Sequence, residues 1–463
     1  MRILLVVYDN GGYTNTFPLG FGYISSVLLQ EGVDVSVYSQ DLHHYPDEHL
    51  TEYLNNNSFD IVAISVIAGY YQYKKLIGLS RAINRSRNRP ENFILGGHGP
   101  SPEPEYFLKV TEADIVVMGE GEVTIKELIH ALTKKTPLKD VLGIAYRVGN
   151  QIVRTGERPL IADLDSIPWP AYHLFPMEFY RLIREPRISR TEFAMPVLSA
   201  RGCTFKCTFC YRMDKGLRNR SNQSIIEEIQ YLQLNYRISY IGFYDELLVS
   251  SIERVTSFCE DLIKANLNIS WNCNGRLNYA LPEVLKLMKR AGCVYINYGI
   301  EAMDDTVLKN MKKGLRVDQI FKGIEATLAE GISPGFNIIF GNIGDNQHTL
   351  DKAVEFLLKY DDGSELRTIR PVTPYPGSPL YYHAIKKGLL KDCEDFYINK
   401  HTNSDLVAVN FTEMTDQEMH SSLFYANSRL IENYFRNQSS RTIDNARKLY
   451  LESDTSFRGF RTI

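Results

Sequence analysis

The sequence predicts an α/β protein: a doubly wound parallel-sheet domain, then a partial barrel of six strand–helix units, then a mostly helical C-terminal region. Three observations carry this prediction. Short runs rich in valine and isoleucine alternate with amphipathic stretches over residues 1–142 and again over 191–380. Glycine-rich segments stand just after the runs of the first series, where ligands of doubly wound sheets bind. The last stretch, 381–463, is polar and has a helical period.

In the first domain, strands are expected at 2–8, 33–38, 61–66, 92–95 and 115–118. The loops that follow include Asp9-Asn10-Gly11-Gly12, Gly96-Gly97-His98-Gly99 and Gly119-Glu120-Gly121-Glu122, where missing side chains let a bulky ligand approach the backbone. Residues 143–190 read as a linker with a hairpin, 143–147 against 151–155 about Gly149-Asn150, ending in Ile167-Pro168-Trp169-Pro170. Barrel strands are expected at 197–200, 240–244, 269–273, 294–299, 335–340 and 366–371, separated by helices such as 225–234, 252–264 and 281–290. The proline-rich 374–379 segment reads as a rigid turn, and the helices beyond it are expected to cap the cavity. The Tyr70-Tyr71-Gln72-Tyr73 run is expected to pack rather than to bind.

Lys plus Arg total 52 against 55 for Asp plus Glu, a net charge of -3, so nothing electrostatic calls for nucleic acid or an anionic membrane. No export signal opens the chain, and no run of roughly eighteen apolar residues is long enough to span a bilayer. Seven cysteines in 463 residues are too few and too uneven for a disulfide framework. The expectation is a cytoplasmic protein acting on a small molecule, with neither nucleic acid nor membrane as partner.

Three of those cysteines, Cys203, Cys207 and Cys210, share one loop after the first expected barrel strand. Sulfur ligands at that density select an iron-sulfur cluster or zinc. Zinc wants a fourth Cys or His, and none lies close in sequence. Three thiolates on a four-iron cube leave one iron open to a ligand. Asp245 and Glu246, then Arg276, then Glu301 follow at the ends of the next three strands, where barrel strands converge. Such a set suits a zwitterion bearing an ammonium and a carboxylate. Plainer readings stand beside it: Asp245 and Glu246 as the acidic start of a helix, Arg276 and Glu301 as an ion pair with each other.

The CxxxCxxC pattern with Phe209 before its last cysteine resembles the signature of the radical S-adenosylmethionine (SAM) superfamily, over roughly residues 195–380. Phe243-Tyr244-Asp245-Glu246, Asn274-Gly275-Arg276 and Gly299-Ile300-Glu301 resemble that family's later motifs. The resemblance implies a TIM-like barrel, a 4Fe-4S cluster on Cys203, Cys207 and Cys210, and SAM held near Phe209, Asp245, Glu246, Arg276 and Glu301. Cleaved by one electron, that SAM yields a 5′-deoxyadenosyl radical. The first domain is similar to the Rossmann-like cobalamin-binding domain of one branch, through Pro18-Leu19-Gly20, Ser65-Val66-Ile67, Gly96-Gly97-His98-Gly99-Pro100 and Gly119-Glu120-Gly121-Glu122. It implies cobalamin contacts at Ser65, Gly96, Gly97, Gly119 and Gly121. The aspartate-histidine motif for ligating cobalt from below is missing, since Tyr8 is followed by Asp9, Asn10 and Gly11.

In that branch one SAM methylates reduced cobalamin, a second supplies the radical, and the substrate radical takes the methyl group. The leading expectation is therefore a cobalamin-dependent methyltransferase for an unactivated carbon of a small molecule or natural-product intermediate, reduced by a flavodoxin or ferredoxin. The alternatives are a radical cyclase, epimerase or other rearranging enzyme, and a non-catalytic iron-sulfur protein.

Overall fold

The computed structural model describes residues 1–456 except Tyr13 and Asp214. Seven strands form its first sheet: β1 (Arg2–Val7), β2 (Asp34–Ser39), β3 (Ile61–Ser65), β4 (Asn92–Gly96), β5 (Ile115–Val117), β6 (Ile144–Val148) and β7 (Gln151–Arg154). They lie in the order β2-β1-β3-β4-β5-β6-β7, and the first five are parallel. Side chains of β1 alternate between two cores, Ile3, Leu5 and Val7 on one face and Leu4 and Val6 on the other, which is why the strand is an unbroken apolar run. Helices Leu19–Gln30 and Gly121–Lys134 cover the first face, and Asp47–Asn56, Tyr70–Arg85 and Pro104–Thr111 the second. Chain order reverses between β1 and β3, so a crevice opens beyond their carboxyl ends.

The hairpin expected in the linker is instead the edge of this sheet. β6 runs antiparallel to β5, with Ile115 opposite Tyr146 and Val117 opposite Ile144, and β7 pairs with β6. Its turn is visible in the sequence, but a hairpin's partner is decided by the open edge it meets, and the three-residue β5 offers one. The rest of the linker staples two helices together: the Ala171 N–H donates to the Gly22 carbonyl at 3.0 Å, and Trp169 Nε1 donates to Ser224 Oγ at 3.4 Å.

The second half contains β8 (Ala194–Val197), β9 (Ala200–Arg201), β10 (Arg218–Asn219), β11 (Tyr240–Phe243), β12 (Ser270–Gly275), β13 (Cys293–Glu301), β14 (Ser333–Phe340) and β15 (Arg370–Pro371). An open parallel sheet runs in the order β15-β14-β13-β12-β11-β8, while β9 and β10 form a separate antiparallel ribbon. Pairing within that ribbon ends the first barrel strand at Val197 rather than at 200. Only Arg370 and Pro371 of the expected 366–371 strand pair. Ser221, Ser251, Asp304 and Asn346 each accept a first-turn backbone N–H and so set where four of the covering helices begin.

The C-terminal region is helical, but its long helix lies outside the barrel rather than over the cavity. Helix Asp416–Glu452 opens with a Thr415–Glu418 capping box and runs along helix Gln347–Tyr360 on its buried Met419, Leu423, Ala426 and Leu430. The segment around Cys393–Asp395 packs on the first domain, where Tyr397 stacks on Tyr73 with ring centroids 4.3 Å apart. Packing therefore accounts for Tyr73. Among the described residues no helix is long and apolar enough to cross a membrane.

The exposed side of the last barrel strand is closed by one side chain. Asn427 accepts the Ile369 N–H at 2.8 Å and donates to the Ile369 carbonyl at 3.0 Å. Asn427→Ala leaves both groups unpaired and is expected to lower the urea-unfolding free energy by about 1–3 kcal/mol.

Candidate active site

The cysteine loop leaves from β9 and returns as β10, so the ribbon ties its ends together. Between Cys207 and Cys210 the backbone is pinned twice: the Thr208 N–H donates to the Met311 carbonyl at 3.0 Å, and the Thr208 carbonyl accepts the Leu380 N–H at 2.8 Å. Cys207 is buried, while Cys203 and Cys210 are half-buried. A hydrogen bond with Cys210 pulls the Cys207 thiol down to about 6, helped by Lys313 and Arg276 and opposed by burial. The same bond pushes Cys210 up. Burial raises Cys203, whose neighbours include Glu246 and Arg276. Thiolate is the metal-binding form, so the two cations favour ligation. Among the described residues no three His, Cys, Asp or Glu side chains are close enough to share one metal ion. Three thiols on one pinned loop, with two cations beside them, fit a cluster that leaves one iron open to a further ligand.

The strand-end charges gather around this loop, with one partner the sequence reading missed. Glu301 pairs with Lys313 Nζ at 2.8 Å, both side chains nearly buried, and not with Arg276. Room for the pair comes from Gly299, where a Cβ would lie 2.4 Å from Glu301 Oε1 and 2.8 Å from Lys313 Nζ. Glu301 itself holds φ +71°, a strained backbone for a residue with a side chain. Arg276 lies 3.4 Å over the Phe205 ring, and it also donates to the Lys313 carbonyl. Phe209 is partly buried, with Lys313 Nζ 5.9 Å from its ring centroid. Lys313 follows Lys312 at the end of a helix, where a surface lysine is the ordinary reading; only the fold brings it to the cysteines.

Asp245 and Glu246 part company. Glu246 is exposed in the site beside Cys203. Asp245 is buried, its Oδ1 accepting the Ser199 N–H at 2.6 Å and the Ala200 N–H at 3.0 Å and its Oδ2 accepting from the Ser199 hydroxyl. The expected ammonium contact is thus corrected at Asp245: its carboxylate faces the backbone that leads into the cysteine loop.

The five glycine and serine positions expected to line cobalamin share the carboxyl edge of the first sheet, in two roles. Gly96 and Gly119 open onto free space, since a Cβ at either would meet nothing within 4 Å, and Gly119 has φ +74°. Gly97 and Gly121 are packed: a Cβ would lie 2.5 Å from the Val66 carbonyl at the first and 2.9 Å from Ile24 Cδ1 at the second. Ser65 lies against Gly97. A cradle with two open faces fits a bulky ligand. Ser101 joins its halves, donating to the Gly97 carbonyl at 2.7 Å and accepting the Gly119 N–H at 3.3 Å.

This edge is fastened to the cysteine ribbon. Glu120, its side chain 4% exposed, accepts from Arg201 at 2.9 Å and Arg218 at 2.8 Å, and from the Ile161 N–H at 2.7 Å. Glu122 accepts from Arg201 at 2.5 Å. Burial alone would raise the Glu120 carboxyl, but the bonds from Arg218, the Ile161 N–H and Arg201 hold it below its ordinary value. On the other side of the crevice, His98 meets the ring of Tyr211 edge-on at 6.3 Å.

Fold and site together define a class: a parallel-sheet binding domain closed onto a half-barrel whose mouth carries three cysteines. Residues 197–357 match the radical SAM superfamily, and residues 11–129 match the B12 binding domain. An uncharacterized methyltransferase of Pyrococcus horikoshii is 30% identical over 380 residues, which cover 81% of this chain and 79% of that protein. The anaerobic magnesium-protoporphyrin IX monomethyl ester cyclase of Rubrivivax gelatinosus is 26% identical over 414 residues, 86% of this chain and 72% of that one. The radical SAM methyltransferase TsrM of Kitasatospora setae shares the fold, with a TM-score of 0.74 at 17% identity over 92% of this chain and 88% of that one. The chain belongs to the radical SAM superfamily, in the branch that carries a B12-binding domain ahead of the barrel. It is an enzyme, and its cofactors are a 4Fe-4S cluster, SAM and cobalamin.

Two outcomes test the site. Glu120→Ala removes the carboxylate that Arg201 and Arg218 share, leaving Glu122 as the carboxylate partner of Arg201, and is expected to cost roughly 3 kcal/mol in urea unfolding. Adding Arg218→Gln to it should cost less than the two single changes summed, because both remove one interaction. Asp245 predicts a pH effect. Burial pushes its carboxyl up to about 6 against the bonds from Ser199 and Ala200. The folded chain therefore keeps a proton that the unfolded chain releases above about pH 4, and the stability Asp245 contributes at low pH is lost as pH rises through about 6. In Asp245→Asn, the urea midpoint should fall less steeply across that window than in the wild type.

Proposed function

We propose that this chain is a cobalamin-dependent radical SAM C-methyltransferase acting on an unactivated carbon of a small molecule. The observation that carries the reading is that Glu120 binds the open-faced glycine edge directly to the ribbon of the cysteine loop, so that both cofactor platforms border one crevice. The 30% identical relative named as a methyltransferase supports it. When bound, the cluster and SAM supply a 5′-deoxyadenosyl radical, and cobalamin supplies a methyl group.

The residues divide the work. Cys203, Cys207 and Cys210 hold the cluster, and Lys313 and Arg276 favour their thiolate form. Glu246, Phe209 and the Glu301–Lys313 pair border the place for SAM, with Glu246 the exposed carboxylate for its ammonium. Asp245 is a positioning residue that sets the start of the cysteine loop. Gly96 and Gly119 give cobalamin its surface, on a floor of Ser65, Gly97 and Gly121. A flavodoxin- or ferredoxin-type protein supplies electrons, and the cytoplasm supplies the reducing surroundings that free cysteines need.

A second reading, a radical cyclase, is favoured by the 26% identity to the magnesium-protoporphyrin ester cyclase. Product mass separates them. Anaerobically reconstituted enzyme given SAM, reductant and extract of its own host should release 5′-deoxyadenosine and add one methyl group to a metabolite. Cys207→Ala should abolish both. Release of 5′-deoxyadenosine with a product of unchanged carbon count would overturn methyl transfer in favour of a cyclase, epimerase or other rearranging enzyme.

A further inference from the structure

We propose that the cavity inside the half-barrel receives a polar molecule rich in hydrogen-bond donors and bearing an ammonium group, of the amino-sugar or aminocyclitol class. The proposal rests on the reading of this barrel as the place of reaction and adds the chemistry of what enters it. The cavity has a volume of about 610 Å³ and is bordered by β11 to β15 and the loop carrying Glu185. That size suits a compact molecule of one or two rings.

Its wall is unusual for a barrel interior, which branched apolar side chains ordinarily fill. Asn272 and Asn274 on β12, Asn297 on β13 and Asn337 on β14 all face it. Asparagine is poorly suited to strands, so four on three adjacent strands require a reason. Bonds within the protein supply only part of it. Asn297 donates to Asn274 Oδ1 at 3.0 Å, Asn274 donates to the Asp245 carbonyl at 2.8 Å, and Asn272 donates to Glu185 at 2.8 Å. Asn272 Oδ1 and Asn297 Oδ1 accept from no protein group among the described residues, and the exposed Asn337 has no such partner at all.

Small residues hold this polar surface open. A Cβ on Gly335 would lie 2.1 Å from the Tyr295 hydroxyl and 2.6 Å from Asn297 Oδ1, and one on Gly242 would lie 3.0 Å from Glu185 Oε1. Glu185 and Glu365 bring carboxylates to the wall, each accepting from a tyrosine hydroxyl at 2.7 Å, Tyr244 for the first and Tyr295 for the second. Arg367 is engaged with Asp361 and Asp362 at 2.9 Å and also reaches Glu365 at 3.8 Å, and Arg370 meets Asp405 at 3.1 Å, so Glu365 is countered while Glu185 has no cation at ion-pair distance among the described residues. The space therefore presents amide oxygens and one carboxylate without a cation partner, Glu185. A hydrocarbon or an extended aromatic macrocycle would strip water from these groups without replacing its hydrogen bonds. An anion would meet the Glu185 carboxylate, while the guanidinium groups nearby already have carboxylate partners. Hydroxyls can donate to the amide oxygens, and an ammonium can pair with a carboxylate.

Calorimetry on the anaerobically reconstituted protein with SAM bound tests this, using three disaccharides: the glucosamine dimer, cellobiose and cellobiose phosphate. The glucosamine dimer should bind at least about tenfold more tightly than cellobiose, and cellobiose phosphate weakest. Glu185→Gln should remove most of the preference for the amine, and Asn337→Ala should weaken both unphosphorylated sugars, with SAM affinity unchanged in either variant. Equal binding of all three, preference for the phosphate, or no binding by any of them overturns the proposal. Because binding is read without turnover, a missing methyl transfer does not alter this result, and missing binding does not touch the methyl-transfer reading.

Discussion

Glu120 stands at the start of helix Gly121–Lys134 and faces away from its own domain, into Arg201 and Arg218 on the ribbon that closes the cysteine loop. Moving such charges out of water costs several kcal/mol per ion, and the cost is offset only where nearly every polar atom finds a partner. Two guanidinium groups and a backbone N–H meet that condition for Glu120 in one relative placement of the two halves. The cluster is therefore better understood as a device that selects an arrangement than as a source of stability. Through it, the edge with the open faces at Gly96 and Gly119 and the loop with Cys203, Cys207 and Cys210 become parts of one site.

The same principle recurs deeper in the barrel. Glu301 holds a left-handed backbone that strands normally exclude, and it does so where Gly299 clears the space for Lys313 to reach it. Asp245 gives up contact with the cavity to hold the backbone of Ser199 and Ala200. Asp245 is satisfied by the segment that leads into the cysteine loop, and Glu301 by Lys313, two residues beyond the Met311 carbonyl that holds Thr208, so polar bonds join apolar packing in setting that loop.

The barrel interior is divided in chemistry along β13. Toward the carboxyl end, Glu301 and Lys313 face the cysteines; toward the other end, Asn297 and Tyr295 face the cavity with Asn272 and Glu185. Alternating side chains put Tyr295, Asn297 and Gly299 on one row, and a register shift after Gly299 precedes Glu301, so one strand serves both regions. The outward neighbours of that row, Ile296, Tyr298 and Ile300, are buried in the common core.

The alternation of strand and helix, the three clustered cysteines and the glycine-rich loops are local patterns, and each was legible in the sequence because period, spacing and backbone freedom are properties of neighbouring residues. The barrel strands at 240–244 and 269–273 differ from the observed β11 and β12 by only one or two residues at their ends. Pairings made across long stretches of chain were not legible. The edge that received the β6–β7 hairpin, the ribbon that ended β8 at Val197, the union of Lys313 with Glu301, the diversion of Asp245 to Ser199 and the bridge from Glu120 to Arg201 and Arg218 all join residues whose separation along the chain says nothing about their separation in space. Residue order thus determined which chemistry this protein carries, and the tertiary structure alone decided which charge meets which, because only the closed chain removes the water that would otherwise keep those charges apart.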